Sequence, residues 1–546
     1  MNANGKKEEK PRKERLAIYL VKEGFNTDAL FVKTESAKAP IHLDIGTGEA
    51  RLYIKKEPPK PSPPWTRLFT SLPNVPDDAF GSTNSVGAVL VYRSERTFLL
   101  SFGHGFHLIK DEVVERDFGL RVTLNSVEPG KLRSLDKASY DHNPLNFRTQ
   151  SGKDLDIFEL DMDSETEMLY AVTGASTEAA FGSHVTGRDA LTIMVQTTMG
   201  GLLHILSTAL AKYKQKLPQA FEWVENINRI RDPEELELLD LYLNDMLAAD
   251  PTSSVWLGEP EIVDWESQIG YSFDLRARTP RHAVLELTDL QSYLAEKGAS
   301  MTVDVLKAQS IHINNAEYQS TKCWTAYRCL YAELAVGVEH YVLRNATWYR
   351  VKDSFVEAID RYLATIPPCS VAFPPYAHVR EDDYNSHVAA HDSSFYVMDK
   401  KTTAIGGRYD KIEFCDLIKD DATLIHVKCY RSSGTLSHLF AQGNVASEAF
   451  IRDEDFRVRL NEKLPARTRL SDPKQRPDPS KYKVVYAIAT TKSLPTELPF
   501  FSKVTLKNAL RTLRALGYEV ELAAIPIDPV LFMTTTYKPT LPAGKI

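Results

Sequence analysis

"TLIHVKCYRSSGTLSHLFAQGNVASEAF", Thr423 to Phe450, decides how the carboxy-terminal third of this chain is read. Its first residues alternate as a buried strand does, with Ile425, Val427 and Cys429 on one side and His426 and Lys428 on the other. A cation and an imidazole side by side on a strand with buried neighbours point to a site. A polar turn, Arg431 to Gly434, leads into a helix bearing Ser437, His438 and Gln442. The turn suits a phosphate: Arg431 is a forked donor, Ser432 and Ser433 carry hydroxyls, Gly434 permits close backbone approach, and the helix start has free N–H groups. Ser, Gly and Thr before a helix are ordinary capping chemistry, and taken alone the turn reads as a cap; beside His426 and Lys428 the two readings stand level.

The flanking segments supply the order. "HVREDDYNSHVAAH" reads as a helix, and "FYVMDKK" and "KIEFCDLI" read as strands preceding the quoted one. After it come a polar, proline-broken stretch, a strand "YKVVYAIAT", a helix "KVTLKNALRTLRALG" closed by Gly517, and a strand "EVELAAIPI". This αβββαβαβ order resembles the core of the restriction-endonuclease-like fold, whose phosphodiesterase sites place an acid on the second strand and an acid-x-lysine on the third. Carboxylates there hold Mg²⁺ through hard oxygen ligands, and lysine offsets charge on the phosphate. Here Asp416 ends the expected second strand and His426-Val427-Lys428 lies on the third.

Histidine thus stands where a second carboxylate is expected, and neutral imidazole is a poor ligand for Mg²⁺. Glu413 would supply the missing acid, although strict alternation sets it on the face opposite Asp416 unless the strand is bulged. Glu381 on the preceding helix is another candidate. The expected catalytic set is therefore Asp416, His426 and Lys428, with Asp416 and Glu413 as metal ligands and Mg²⁺ as the cofactor. For nucleic acid the candidates are Arg431, Ser433, His438, Gln442, Arg467, Arg469, Lys507 and Arg511. The last four belong to a basic run between Phe456 and Val484 and to a stripe from Lys503 to Arg514, either of which would neutralise phosphates or be a solvated face.

Upstream, "RLAIYLVKEGF", a hairpin pattern in "SVGAVLVYRSERTFLLSFG" turning at Ser94/Glu95, "RDFGLRVTLN" and "DALTIMVQT" make residues 16–197 β-rich. "GLLHILSTALAKYKQKL" and "DPEELELLDLYLNDMLAA" are helical, the latter with Asp232 as N-cap and Pro233 in its first turn, and "YVLRNATWYRV" is a hairpin turning at Arg344 to Thr347. The expected fold is α+β and multidomain: a tail over 1–15, a β-rich sensing or docking domain over 16–197, a mixed helical middle over 198–365, and the αβββαβαβ domain over 366–546. His387 and His391 have the i, i+4 spacing of a helical metal pair without an identifiable third ligand, and His104 and His107 in "GHGFH" close a strand. No P-loop, nucleophile elbow or dinucleotide fingerprint occurs.

At 546 residues, 43% hydrophobic and 25% charged, the chain has the composition of a folded protein of two or three domains, and a net charge of -7 argues against a globally basic nucleic-acid binder. Five cysteines without a CxxC pair fit a reducing compartment, and no apolar run approaches membrane-spanning length; a cytoplasmic protein is expected.

The segments "FLLSFGHGFHLI", "DFGLRVTLN", "YVLRNATWYRV" and "EFCDLI...LIHVKCYRSSGTLSHLFAQG" resemble a sporadically distributed bacterial family of chains of about this length, catalogued only as a domain of unknown function. The resemblance implies scattered inheritance, as in accessory or mobile defence genes, and no established activity. Besides an interaction scaffold whose polar strand residues are merely structural, two readings of function stay open. One is a defence-type protein that binds nucleic acid, DNA before RNA, and cuts it with a divergent metal-dependent phosphodiesterase site. The other is a non-catalytic sensor or binding module, for nucleic acid or a phage protein, on a degenerate nuclease fold. A phage protein as trigger and a homo-oligomer as assembly are compatible with both.

Overall fold

The computed structural model describes residues 13–43, 49–56, 87–110, 113–139, 146–157, 159–249, 255–261, 263, 268–276, 280–315, 319–404, 411–420, 422–430 and 433–527, with 433–435 described in backbone only. The proline-rich connector Pro58–Trp65 and most of the expected tail lie outside these residues; Lys13 already opens the first strand. The protein is mixed α+β, with several sheets. It divides into two compact units, residues 1–138 with 146–224, and 139–145 with 225–546.

The first unit is built on ten strands in one sheet, with Lys13–Leu20 between Thr97–Gly103 and Leu191–Gln196. The hairpin about Ser94 and Glu95 forms as its alternation requires, Gly87–Arg93 against Thr97–Gly103. "RDFGLRVTLN", expected to be a strand, is instead the helix Phe118–Leu124. Every residue of it except Arg121 is buried, so no polar face marks its period, and a short apolar run of this kind fits either element. Gly119 is needed there, because a Cβ would lie 2.0 Å from the Ala190 carbonyl oxygen. The helix Leu202–Lys214 lays Leu202, Ile205, Leu206, Ala209 and Leu210 into the same core.

In the second unit, Asp232 caps the helix Pro233–Ala248 by accepting from the Glu234 N–H at 3.2 Å, and Leu239, Leu243 and Leu247 form its buried stripe. Glu339–Arg344 and Thr347–Val351 pair around Asn345 and Ala346, whose φ values of 48° and 55° make the tight turn a hairpin of this hand requires. These strands belong to a five-stranded sheet with Leu330–Val336 next in order, and a three-stranded sheet, Gly270–Ser272, Ser310–Asn314 and Ser320–Thr325, shares its core.

The remaining sheet positions the site. Helix α1 (Glu381–His391) precedes β1 (Phe395–Val397), β2 (Leu417–Lys419) and β3 (Thr423–Cys429). Helices α2 (Ser433–Arg452) and α3 (Glu454–Lys463) lead to β4 (Lys483–Ala489), and α4 (Phe500–Leu516) leads to β5 (Glu519–Ile525). The spatial order is β1-β2-β3-β4-β5, with β1, β2 and β3 an antiparallel meander and β3, β4 and β5 parallel. Parallel neighbours need crossovers, which α2 and α4 provide. Strand β4, between β3 and β5, is buried from Val484 onward and apolar there except for the Tyr486 hydroxyl, because both its faces are covered.

Tyr384 and Val388 of α1 pack on Ile425, Val427 and Cys429. Helix α2 crosses Tyr486 at Gly443, where a Cβ would stand 2.5 Å from the phenol oxygen. Gly517 ends α4 with φ 101°, the left-handed cap anticipated for it. Two expectations change. "KIEFCDLI" is not one strand: Lys411–Ile412 pairs with Thr403–Ala404 in a separate ribbon, and regular pairing resumes only at Leu417. The polar stretch after α2 opens with α3, whose cap Asp453 accepts from the Phe456 N–H at 2.9 Å.

A buried carboxylate ties the middle sheet to α4. Glu333 accepts from the Phe501 N–H at 3.3 Å, while its other oxygen has no partner. Burial lifts the carboxyl from 4.5 to about 7, against the Phe501 and Phe500 N–H groups, which pull it down. The unfolded chain therefore releases this proton first, and the contribution of Glu333 to stability falls as pH rises from about 4.5 to about 7. Glu333→Gln keeps an acceptor and removes the titration. Thermal unfolding from pH 5 to pH 8 should show the variant gaining on wild type as pH rises; parallel curves would assign Glu333 no linkage.

Candidate functional site

The site begins where β2 parts from β3. Leu417 is the first residue of β2 in register, opposite Ile425, and the Asp416 N–H still bonds to the Ile425 carbonyl at 2.9 Å. Two residues further along β3, the Asp416 side chain takes the place of a backbone partner: Oδ2 accepts from the Val427 N–H at 2.7 Å. Asp416 thus opens β2, beside the end of β3, and does not close it as the sequence pattern suggested. The Asp416 carbonyl also receives the Met398 and Asp399 N–H groups at 2.8 and 3.1 Å, which brings the end of β1 alongside.

Three carboxylates converge here. Donor oxygens of Asp399, Glu413 and Asp416 all lie within 4.8 Å of one another. The anticipated obstacle to Glu413, strand alternation, does not apply because residues 413–416 are not extended strand. Each acid is oriented: Asn385 Nδ2 donates to Asp399 at 3.2 Å, Gln442 Nε2 donates to Glu413 at 3.2 Å, and the β3 backbone holds Asp416. Among the described residues no cation pairs with any of the three. Burial, with the charges of Asp399, Glu413 and Glu381, raises the Asp416 carboxyl from 3.8 to about 7 despite the Val427 N–H bond. Hard oxygen donors with excess negative charge suit Mg²⁺ or Mn²⁺.

Lys428 lies at the rim. Its Nζ is 2.7 Å from Glu381 Oε2, and Glu381 Oε1 accepts from the Cys429 N–H at 3.1 Å, so the first turn of α1 is fastened to the end of β3. Glu381 and Asn385, one helical turn apart, therefore serve Lys428 and Asp399 in turn. The Lys428 and Glu381 side chains are 26% and 31% exposed, so a ligand can reach both.

Among the sequence candidates, Asp416, Glu413, Glu381 and Gln442 come together by direct contact or through their mutual field, and Lys428 joins through Glu381. His426 does not. It is wholly buried, 5.9 Å from the Tyr486 ring, both nitrogens lack partners, and burial lowers its pKa from 6.5 to about 4. It is a neutral core residue at neutral pH, and the group that stands with Asp416 and Glu413 is Asp399, just past β1. Asp399 was legible in principle: in an antiparallel meander the first residues past β1 lie beside those just before β2.

Arg431 lies outside the described residues, as does the side chain of Ser433, and His438 is exposed. The basic run is partly internal. Arg457 is 3% exposed and donates to the carbonyls of Phe450, Ile451, Pro473 and Lys474, and Arg459 donates to Ala404. Arg469 is exposed but donates to the Leu464 carbonyl, and Arg467 is exposed. The stripe on α4 faces the helix Asp353–Leu363: Lys503 is 3% exposed and ion-paired with Asp360 at 2.8 Å, and Lys507 lies over the Tyr362 ring. Arg511 is exposed. All five cysteines are free thiols, and no helix of the described residues is long and apolar enough to cross a membrane.

The raised pKa of Asp416 makes a divalent ion and a proton competitors. Ion binding should strengthen as pH rises through about 7 and release a proton. The ion-free protein should in turn lose stability from Asp416 between about pH 4 and pH 7, so Asp416→Asn should raise the melting temperature at pH 8 without Mn²⁺ and abolish the further rise on adding it. An Mn²⁺-induced rise that persists in Asp416→Asn, or that is the same at pH 6 and pH 8, would place the ion elsewhere.

No curated protein and no solved structure matches the chain. A family of unknown function, DUF6119, matches residues 16–526, which spans both compact units and the site. The chain belongs to that family.

Proposed function

We propose that the carboxy-terminal sheet is a divergent restriction-endonuclease-like domain that binds nucleic acid, DNA in preference to RNA, and hydrolyses its phosphodiester bonds. The observation that carries this reading is the trio Asp399, Glu413 and Asp416, without a cation among the described residues, set beside the Lys428–Glu381 pair where β2 leaves β3. The meander followed by two parallel strands on crossover helices supports the fold assignment. The accessory defence role rests on the family resemblance alone.

Asp399, Glu413 and Asp416 would hold Mg²⁺, which supplies an activated water and steadies the leaving oxygen. Asn385, Gln442 and the Val427 N–H keep the three carboxylates aimed inward. Lys428, turning from Glu381 toward an arriving phosphate, offsets the charge that develops on it. Glu381, left with the Cys429 N–H bond, stays in place to take Lys428 back. Arg467, Arg469 and Arg511 are exposed cations suited to the flanking backbone.

Cleavage of single- and double-stranded DNA and RNA with Mg²⁺ and Mn²⁺, with and without extract of phage-infected cells, tests this. Asp416→Asn and Asp399→Asn should each lose about 100-fold or more of the activity, while Asp416→Asn binds nucleic acid as well as wild type or better because a repelling charge is gone. Lys428→Ala should weaken both binding and cleavage. His426→Leu should leave cleavage intact. Binding without cleavage under all these conditions would replace the nuclease by the binding module, and a cleavage-dead His426→Leu that folds normally would restore histidine to the chemistry.

A further inference from the structure

On the side of α1 away from the carboxylates, three imidazoles gather. His387 and His391 lie one turn apart with ring centres 6.1 Å from each other and planes 19° apart. His378, on the segment leading into α1, stands with its ring centre 5.0 Å from that of His387. This is the third ligand that the i, i+4 pair lacked in the sequence. His378 is fixed from behind by the Tyr384 ring at 5.9 Å, and its Nδ1 is buried without a hydrogen-bond partner. The segment itself is anchored, because Tyr384 donates to the Pro374 carbonyl at 2.7 Å and Tyr376 bridges to Ile527.

The spacing lies near that of rings sharing one ion. With Zn–N bonds of about 2.1 Å and a tetrahedral N–Zn–N angle, two imidazoles sharing a zinc have ring centres roughly 5.3 Å apart. The His378–His387 separation of 5.0 Å is close to that value, and the His387–His391 separation of 6.1 Å exceeds it. The nitrogens of the three rings do not yet all lie within 4.8 Å of one another, so ligation requires some rotation. His387 and His391 are exposed and can turn at little cost.

We propose that His378, His387 and His391 form a site for a borderline-soft transition ion, Zn²⁺ by preference, distinct from the oxygen-donor site and independent of the nuclease reading. Three imidazoles with an open fourth position for water are a donor set zinc accepts and magnesium does not. The ion joins the lead-in segment to α1 and so secures the first turn that carries Glu381.

Full-length protein kept in excess Mg²⁺ is titrated with Zn²⁺ by calorimetry, and with Co²⁺ by visible absorption as a reporter of nitrogen ligation. One equivalent should bind at this site. His378→Ala, His387→Ala and His391→Ala should each weaken it about tenfold or more, and His378→Gln, which better preserves volume beside Tyr384, should match His378→Ala. Asp416→Asn should leave the affinity unchanged. Full affinity in both His378 variants would reduce the site to an adventitious surface pair, and loss of the zinc equivalent in Asp416→Asn would place the ion among the carboxylates. Either result overturns the proposal.

Discussion

The hydrogen bond from the Val427 N–H to Asp416 Oδ2 is the constraint around which the site is organised. A strand that loses its neighbour exposes a backbone donor, and a donor left unpaired in a buried place costs on the order of 1–3 kcal/mol. Asp416 satisfies that donor with its side chain, which frees residues 413–415 from the ladder. The freed segment can then bring Glu413 to the same point as Asp416, which a regular strand would forbid. Because the Asp416 carbonyl also receives two N–H groups from the end of β1, Asp399 is delivered by the same residue. One break in pairing thus assembles all three carboxylates.

That assembly stores repulsion. At an effective dielectric constant of about 20, two carboxylates within 5 Å repel by roughly 3 kcal/mol, more than a single neutral hydrogen bond returns. Asn385 and Gln442 orient two of the acids without neutralising them, since an amide carries no charge. The nearby cation, Lys428, is paired with Glu381, a fourth carboxylate. A packed core would be better served by apolar residues of similar size. Retention of excess negative charge in a half-buried place is the arrangement expected of a ligand site, and perturbed carboxyls concentrate in such sites for this reason.

Much of the fold was legible because the physics is local. The Asp232 cap, the turn at Asn345 and Ala346, and Gly517 act over a few residues, and each formed where its chemistry predicted. The meander and the two parallel strands followed from alternation and from apolar runs bounded by helices. What failed depended on partners distant in sequence. Phe118–Leu124 is buried on all sides, so nothing in its own pattern separates helix from strand. The alternation that set His426 beside Lys428 correctly placed the imidazole off the apolar face of α1, yet α2 covers that face too, and only the tertiary packing of Phe440 and Gly443 on Tyr486 makes it core. Lys503 likewise lies on a polar stripe of α4 that an unforeseen neighbour, the helix Asp353–Leu363, turns inward.

The geometry of α1 adds a last point about selectivity. A site mixing carboxylate and imidazole would favour zinc over magnesium, since affinity for nitrogen donors climbs steeply along the first-row divalent ions. Helix α1 holds the two donor types apart. Glu381 and Asn385 turn toward the oxygen cluster, whereas His387, with His391 beside it, lies against His378. Tyr384 and Val388 fill the core between them. His426, the one imidazole on the strand beside the acids, is sealed in the core with its nitrogens facing no ligand. On the proposed nuclease reading, excluding imidazole from the acids would keep that cluster suited to a hard ion, and a histidine could stand at the expected position of a carboxylate without converting the site to a softer metal.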